Sequence, residues 1–123
     1  MKILYIVLAL MYFCLSAGPL AASNDIQACL AKSEAEVVRR SLSDKVELRA
    51  AKRDGLPWPD VLVREFYSNN PPIQLFSEIR KKLKRSKHYW CFYYDNREAG
   101  KGGDLTIFID EDTLAVIAVL QGR

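Results

Sequence analysis

The residues of this chain that could do chemistry are few, and the cysteines are the most informative of them. Cys14, Cys29 and Cys91 occur without a CxxC pair, and His88 is the only histidine. One histidine cannot make a zinc site alone, and the HExxH and G-x-S-x-G motifs are absent from the sequence. The sequence therefore predicts no metal, no cofactor and no catalytic residue, and we expect a protein that is not an enzyme.

Two short segments have the composition of ligand sites but fit turns better. Asp110-Glu111-Asp112 could hold Ca²⁺ or pair as acid and base, yet the rest of an EF-hand loop is missing. Gly100-Lys101-Gly102-Gly103 lacks the residue order of a phosphate-binding loop, and the sequence after it does not predict a helix. Both segments are interpreted as connections between strands, and His88 is interpreted as a surface residue rather than a general base.

The first 23 residues indicate export. Lys2 supplies a positive start, residues 3–15 form a 13-residue run without charge, and the small residues Ala21-Ala22-Ser23 precede Asn24. That run is shorter than the roughly 20 apolar residues of a membrane span. We therefore predict a signal peptide over residues 1–23, a periplasmic or secreted protein, and no stable membrane span after cleavage.

Export determines what the cysteines can do. Cys14 lies inside the predicted signal peptide, and the bulky Met11-Tyr12-Phe13 before it argue against lipidation there. Cys29 and Cys91 then remain in an oxidising compartment, which predicts a single disulfide between them. Such a bond would close a loop of 62 residue steps and stabilise the fold by roughly 4 kcal/mol.

Length and charge set further bounds. Residues 24–123 form a chain of ordinary size for one domain. They contain 17 basic and 15 acidic residues, because Lys2 is the only charged residue before them, so the net charge is +2. That charge is too small for a dedicated nucleic-acid-binding protein. We expect one domain whose partner is not a nucleic acid.

Helical patterns fill the first two thirds of the mature chain. Asn24 and Asp25 could cap a helix whose apolar pattern runs on to Ala50 and ends at Gly55. One long helix or two abutting helices fit this stretch, since Ser33 and Glu36 form a second capping box. After the stiff link Leu56-Pro57-Trp58-Pro59, the pattern predicts a short helix over 60–67 and an amphipathic helix over 73–87.

Strand patterns follow. Residues 89–94 are rich in aromatic side chains, residues 104–110 alternate, and residues 114–120 are nearly all apolar. Their regular spacing predicts an antiparallel meander. The predicted fold is α+β, a single domain over 24–123 with N-terminal helices packed on one face of a C-terminal three-stranded antiparallel sheet.

Two features are candidates for binding. One is the basic face of the third helical segment, which could meet an acidic protein or an anionic ligand, although such a face can also be simply solvated. The other is the aromatic strand, one face of which must cover the sheet while the other could be exposed. The candidate binding residues are Arg80, Lys81, Lys84, Arg85, Lys87, Trp90, Tyr93 and Tyr94.

The last third of the chain carries a recognisable order of elements. The residues concerned are 90–93, the glycines and aspartate at 102–104, the strand 107–110 and the segment 116–123. This order resembles the end of small exported bacterial domains with an NTF2-like or cystatin-like fold, some of them immunity proteins. The longer helices and the Pro57-Trp58-Pro59 link depart from that pattern, so no functional residue is carried over.

These observations favour two hypotheses of function. The first is an exported protein-binding module, an immunity protein or inhibitor that occludes the active site of a toxin or an envelope hydrolase. The second is a periplasmic binding domain for a small or anionic ligand, with the face from Arg80 to Lys87 at the mouth of its pocket.

Overall fold

A computed structural model describes residues 20–68, 74–98 and 100–122 of the chain. These residues form three helices, α1 (Leu20–Arg39), α2 (Asp60–Tyr67) and α3 (Gln74–Lys84). They also form four strands, β1 (Val46–Arg53), β2 (Tyr89–Asn96), β3 (Leu105–Asp110) and β4 (Val116–Gln121). Residues 1–19 of the predicted signal peptide lie outside the described part, and α1 begins four residues before the predicted cap at Asn24. None of the described helices is long and apolar enough to cross a membrane.

The four strands form one antiparallel sheet in the order β1-β2-β3-β4. Helix α1 packs against β2 and β3, whereas α2 and α3 belong to the cluster on the other face. The α+β class is therefore confirmed, but two details of the prediction are wrong. The sheet has four strands rather than three, and it carries helices on both faces rather than on one.

The additional strand exists because α1 ends earlier than its apolar pattern suggests. Ser41 has a left-handed backbone (φ 57°), and its N–H donates to Val38 O at 2.9 Å. The N–H of Leu42 donates to Val37 O at 3.1 Å, and both side chains join the same core cluster. This pair of hydrogen bonds is a Schellman motif, which usually requires glycine where this chain has serine. Because glycine is absent at this position, the sequence pattern predicts that the helix continues, although α1 ends at Arg39.

The chain after this turn is strand β1 instead of the predicted helix continuation. Its partners in β2 run from Val46↔Asn96 to Arg53↔Trp90, with a bulge between Leu48 and Ala50. Most side chains of the edge strand β1 are exposed, because the helices cover little of it, and Val46 is its member of the core clusters. A sparse apolar pattern on such an edge strand resembles a helical period, which explains the wrong assignment.

The sheet separates two apolar clusters. The α1 cluster packs Cys29, Val37 and Leu30 of α1 against Phe92 and Ile107 of the sheet. The α2–α3 cluster packs Phe66, Ile79 and Leu83 against Cys91 and Phe108, with Leu56 beside them. The alternation of β2 side chains between two faces is as the sequence predicts. However, helices cover both faces of the sheet, so neither set of aromatic residues is fully exposed to solvent.

Cys29 and Cys91 are both fully buried and form no disulfide, so the predicted disulfide is wrong. Cys29 lies in the α1 cluster and Cys91 in the α2–α3 cluster, with the backbone of β2 between them. A disulfide needs Cα atoms about 4.4–6.8 Å apart and side chains that point toward each other. Burial raises the pKa of the Cys91 thiol well above its usual value, so it is held as an unreactive thiol.

The remaining predicted elements are confirmed with small shifts at their ends. The helix predicted over 60–67 is α2, and the one predicted over 73–87 is α3, which ends at Lys84. Asp110 forms the turn between β3 and β4, where its Oδ1 accepts the N–H groups of Asp112 and Thr113 at 2.9 Å each. The acidic run therefore acts as a turn, as interpreted from sequence. No cluster of three or more His, Cys, Asp or Glu residues in the described ranges could hold a metal ion.

The separation of the two cysteines predicts that the mature chain is stable without a disulfide. We expect a thiol reagent to react slowly with the native protein. Once the mature chain (residues 24–123) is unfolded in urea, the reagent should react with two thiols per chain. The melting temperature should be the same with and without a reductant. A fall of about 10 °C or more on reduction would contradict this, because a 100-residue domain shifts by about 4–8 °C per kcal/mol.

Candidate functional site

A cavity of about 310 Å³ opens on the α2–α3 side of the sheet. We call it the Trp58 pocket, and its walls come from the proline-rich link, from both helices and from the ends of three strands. The lining residues are Pro57, Trp58, Pro59, Leu62, Leu75, Phe76, Tyr93, Asp104, Leu120, Gln121 and Gly122. Its volume lies at the lower end of the range for ligand pockets, about 300–1,000 Å³.

The proline-rich link positions Trp58 as one wall. Proline on either side restricts the backbone, so the link leads from β1 to α2 without helical or strand structure. The Trp58 ring contacts Phe66 edge-on at 5.7 Å between centroids, and Phe76 at 5.9 Å. Its Nε1 donates to the buried Thr106 Oγ1 at 3.3 Å. The indole is therefore fixed by the sheet below it and by the aromatic residues beside it.

Asp104 and Tyr93 form the polar end of the Trp58 pocket. Burial, followed by the negative charge of the Asp104 carboxylate, raises the pKa of Tyr93. Gly122 N donates to Asp104 O at 2.8 Å, and any side chain at position 122 would overlap the Asp104 carboxylate. The carboxylate therefore lies directly over the backbone at the end of β4, and a larger residue at position 122 would have to displace it.

The rim of the Trp58 pocket continues into exposed apolar side chains. Four large apolar residues on α2 and the first turn of α3 are strongly exposed: Leu75 (59%), Val61 (53%), Tyr67 (47%) and Leu62 (40%). Leu62 and Leu75 also line the pocket. The pocket is thus the concave part of a larger apolar surface, which we call the α2–α3 surface.

A second polar cluster lies at the end of the sheet where β1 finishes and β2 begins. His88 Nδ1 lies 2.7 Å from Asp54 Oδ2, and the other oxygen of Asp54 accepts Tyr89 N–H at 2.9 Å. The Ser86 hydroxyl donates to the Asp110 carboxylate rather than to the His88 ring. These residues therefore do not form a Ser–His–Asp relay. Instead, the carboxylates of Asp54 and Asp110 each hold the end of a strand in place.

Glu111 is the most enclosed charge of this cluster, with a side chain that is 10% exposed. Arg53 donates to its two carboxylate oxygens at 2.6 and 2.8 Å, and Trp90 Nε1 donates to Oε2 at 3.0 Å. The hydrogen bonds from Arg53 hold the pKa of Glu111 below its usual value, against the opposing effect of burial. The cluster ties β1, β2 and the β3–β4 turn together.

The structure does not bring the eight predicted binding residues to one place. Arg80 is half-buried, and its Nη1 donates to the backbone oxygen of Tyr67 at 2.7 Å, which ties α3 to the end of α2. Arg80 and Lys84 flank a shallow groove of about 220 Å³ beside Tyr67 and Tyr89. Lys81 pairs with Glu78 at 3.4 Å. Arg85 and Lys87 are exposed beyond the end of α3.

The predicted aromatic residues divide between the two faces of the sheet. Trp90 and Tyr94 lie on the α1 side, where the Tyr94 hydroxyl is 2.6 Å from Ser33 Oγ. Tyr93 lies on the opposite side and lines the Trp58 pocket. Of the eight predicted residues, Tyr93 is the one that belongs to this pocket.

Sequence reasoning missed Trp58, Phe76 and Asp104 as pocket residues. A tryptophan held between two prolines was treated as part of a link, although a large aromatic side chain in a stiff loop is a signal for a surface site. Phe76 belongs to the apolar face of the amphipathic helix α3 and packs, partly buried, against the α2–α3 cluster. No local sequence feature identifies Asp104 as a pocket residue, because its neighbours in space depend on how β2, β3 and β4 lie beside one another.

Comparison of the chain with protein families, with curated proteins and with solved structures finds no match. The resemblance of the last third to NTF2-like or cystatin-like domains therefore stays a prediction. What can be inferred about function rests on the geometry of the described residues.

The Glu111 contacts predict a stability that depends on pH. We expect Glu111→Gln to lower the free energy of unfolding at pH 7 by about 1–2 kcal/mol, a value reduced by the half-exposed Arg53. Because the folded-state pKa is lowered, this stabilisation is present above the unfolded pKa and is lost as the pH falls through the folded-state pKa. Urea denaturation should therefore show a smaller loss at pH 3 than at pH 7.

The matched control for this variant is Asp112→Asn, since Asp112 is the exposed neighbour in the same turn. It should change stability by less than about 0.5 kcal/mol at either pH. An equal loss for both variants, or a loss for Glu111→Gln that is the same at pH 3, would contradict the assignment.

Proposed function

We propose that this chain is an exported protein-binding module, an immunity protein or inhibitor directed against a toxin or an envelope enzyme. The observation that carries the proposal is the α2–α3 surface, which has four exposed apolar side chains, two of which, Leu62 and Leu75, also line the Trp58 pocket. Exposed apolar residues that occur singly need no explanation, but grouped ones around a concavity are typical of interaction sites.

The distribution of exposed apolar residues supports this choice of surface. Among the described residues, the other large exposed apolar side chains are Val38 on α1 and Leu48 on β1, each on a different element. The walls of the pocket are held by the contacts of Trp58 with Phe66, Phe76 and Thr106. A rigid pocket of this kind suits an anchoring side chain from a partner, because little ordering is needed on binding.

The alternative of an anionic ligand has weaker support. It would use the groove between Arg80, Lys84, Tyr67 and Tyr89. One of its two cations, Arg80, already donates to the backbone of Tyr67 and so helps to hold α3 in place. The apolar surface therefore supports the protein-binding function better than the groove supports anion binding.

The function is tested by affinity capture from envelope and secreted fractions with three forms of the mature domain. The double variant Leu62→Asp/Leu75→Asp places charges on the α2–α3 surface without touching the fully buried core. We expect a stoichiometric partner to be captured by the wild type and its affinity to fall at least tenfold in this variant. For an inhibitor, the partner's activity should be blocked by the wild type and not by this double variant.

The control is Val38→Asp, because Val38 is equally apolar and 65% exposed but lies on α1, on the other side of the sheet. It should retain capture and inhibition in full. Equal loss in both variants, or capture that neither variant changes, would contradict the proposed surface.

A further inference from the structure

We propose, on the basis of this protein-binding function, that the Trp58 pocket receives a lysine or arginine side chain of the partner protein. The side chain would lay its apolar stem along Leu62, Leu75 and Phe76, and its charged head would meet the Asp104 carboxylate. The anchor is therefore cationic at its tip and apolar along its length.

The charge of the pocket carries the choice of a cation. Asp104 is half-buried in a predominantly apolar cavity, which Tyr93 also lines. Within the described ranges, no nitrogen of a lysine, arginine or histidine lies within 4.0 Å of this carboxylate. A half-buried carboxylate is stabilised better by an ion than by neutral groups. A partner cation would complete the pairing.

The walls of the pocket suit the rest of such a side chain. Lysine and arginine have long apolar stems that bury well against apolar surface while the head stays with its counter-ion. The rings of Trp58, Phe76 and Tyr93 line the same cavity, and aromatic faces attract cations. An acidic side chain would be repelled by Asp104, and a purely apolar one would desolvate the carboxylate without pairing it.

The surroundings favour a side chain of a protein over a free amine. A small amine would be satisfied by the pocket alone, which leaves Val61 and the outer part of Leu75 without a role. A partner protein would cover these residues at the same time as it inserts its anchor. The exposed rim thus extends the contact beyond the pocket.

The test uses model side chains, so that it does not depend on finding the partner. Nα-acetyl-lysine-N-methylamide and Nα-acetyl-norleucine-N-methylamide, which has the same carbon chain without the ammonium group, are titrated into ¹⁵N-labelled mature domain. The readouts are the shifts of Gly122 N–H and Trp58 Nε1–H, which both lie at the pocket. We expect the lysine analogue to bind at least tenfold more tightly than the norleucine analogue. Equal affinities would overturn the proposal.

Asp104→Asn should remove that preference, whereas Tyr93→Phe should keep it, because the carboxylate remains. If Asp104→Asn does not fold, the comparison of the two analogues on the wild type still decides. Arg123 follows Gly122 directly in the sequence, so the titration is repeated with Arg123→Gln, where unchanged affinity is expected. An increase of tenfold or more would show that this arginine fills the pocket and would overturn the proposal.

The outcome is separable from that of the proposed function. A partner captured through Leu62 and Leu75, together with analogues that do not discriminate, would leave the function standing and refute the cationic anchor. A strong preference for lysine without any captured partner would instead support the pocket chemistry and count against the protein-binding function.

Discussion

The structure depends on a small antiparallel sheet that must be covered on both faces. Strands β2 and β3 form its centre, and their side chains enter the α1 cluster on one face and the α2–α3 cluster on the other. A strand covered on both sides is apolar almost throughout, which explains why five of the six β3 residues, Leu105 to Ile109, are buried. Adjacent residues in the centre of the sheet therefore stabilise opposite layers of helix packing, as Ile107 and Phe108 do.

Several other features follow from this arrangement. The two cysteines become separate core residues because they belong to different faces. Side chains also connect the end of α1 to the end of β4. The Glu36 carboxylate accepts hydrogen bonds from Arg39 and Arg40, and Arg40 Nη1 donates to Gln121 Oε1 at 3.5 Å. The hydrogen bond from Arg39, followed by that from Arg40, lowers the pKa of Glu36 to about 2 despite its burial. The fold is held by packing and by such ties rather than by a covalent link.

The sequence predicted the elements with a strong local signal and missed those that depend on distant partners. Helix α2 and strands β2, β3 and β4 were found because their patterns match one period and proline or glycine lies near their ends. Strand β1 was missed because Ser41 occupies the left-handed helix-end position where glycine is expected. The Trp58 pocket could be predicted only in part, since Asp104, Tyr93 and Gly122 are brought together by the register of three strands.

The same two-sided packing produces the candidate site. Because α2 and α3 cover only part of their face of the sheet, the ends of β2 and β4 near Tyr93 and Leu120 remain open to the pocket. The short helices also cannot bury all of their own apolar residues, which leaves Leu62 and Leu75 exposed. The apolar surface is therefore a consequence of the architecture, and the proposed function is that a partner protein binds to it.

The most direct test of this account is a set of NOE contacts from the sheet in methyl- and aromatic-labelled mature domain. We expect the Ile107 methyls to contact α1 residues such as Val37, and the Phe108 ring to contact Phe66 of α2. Contacts to both helical layers from adjacent residues of one strand would establish that the sheet is covered on both faces. Contacts from all three helices to the same face of β3 would contradict the architecture, and with it the Trp58 pocket and the function inferred from it.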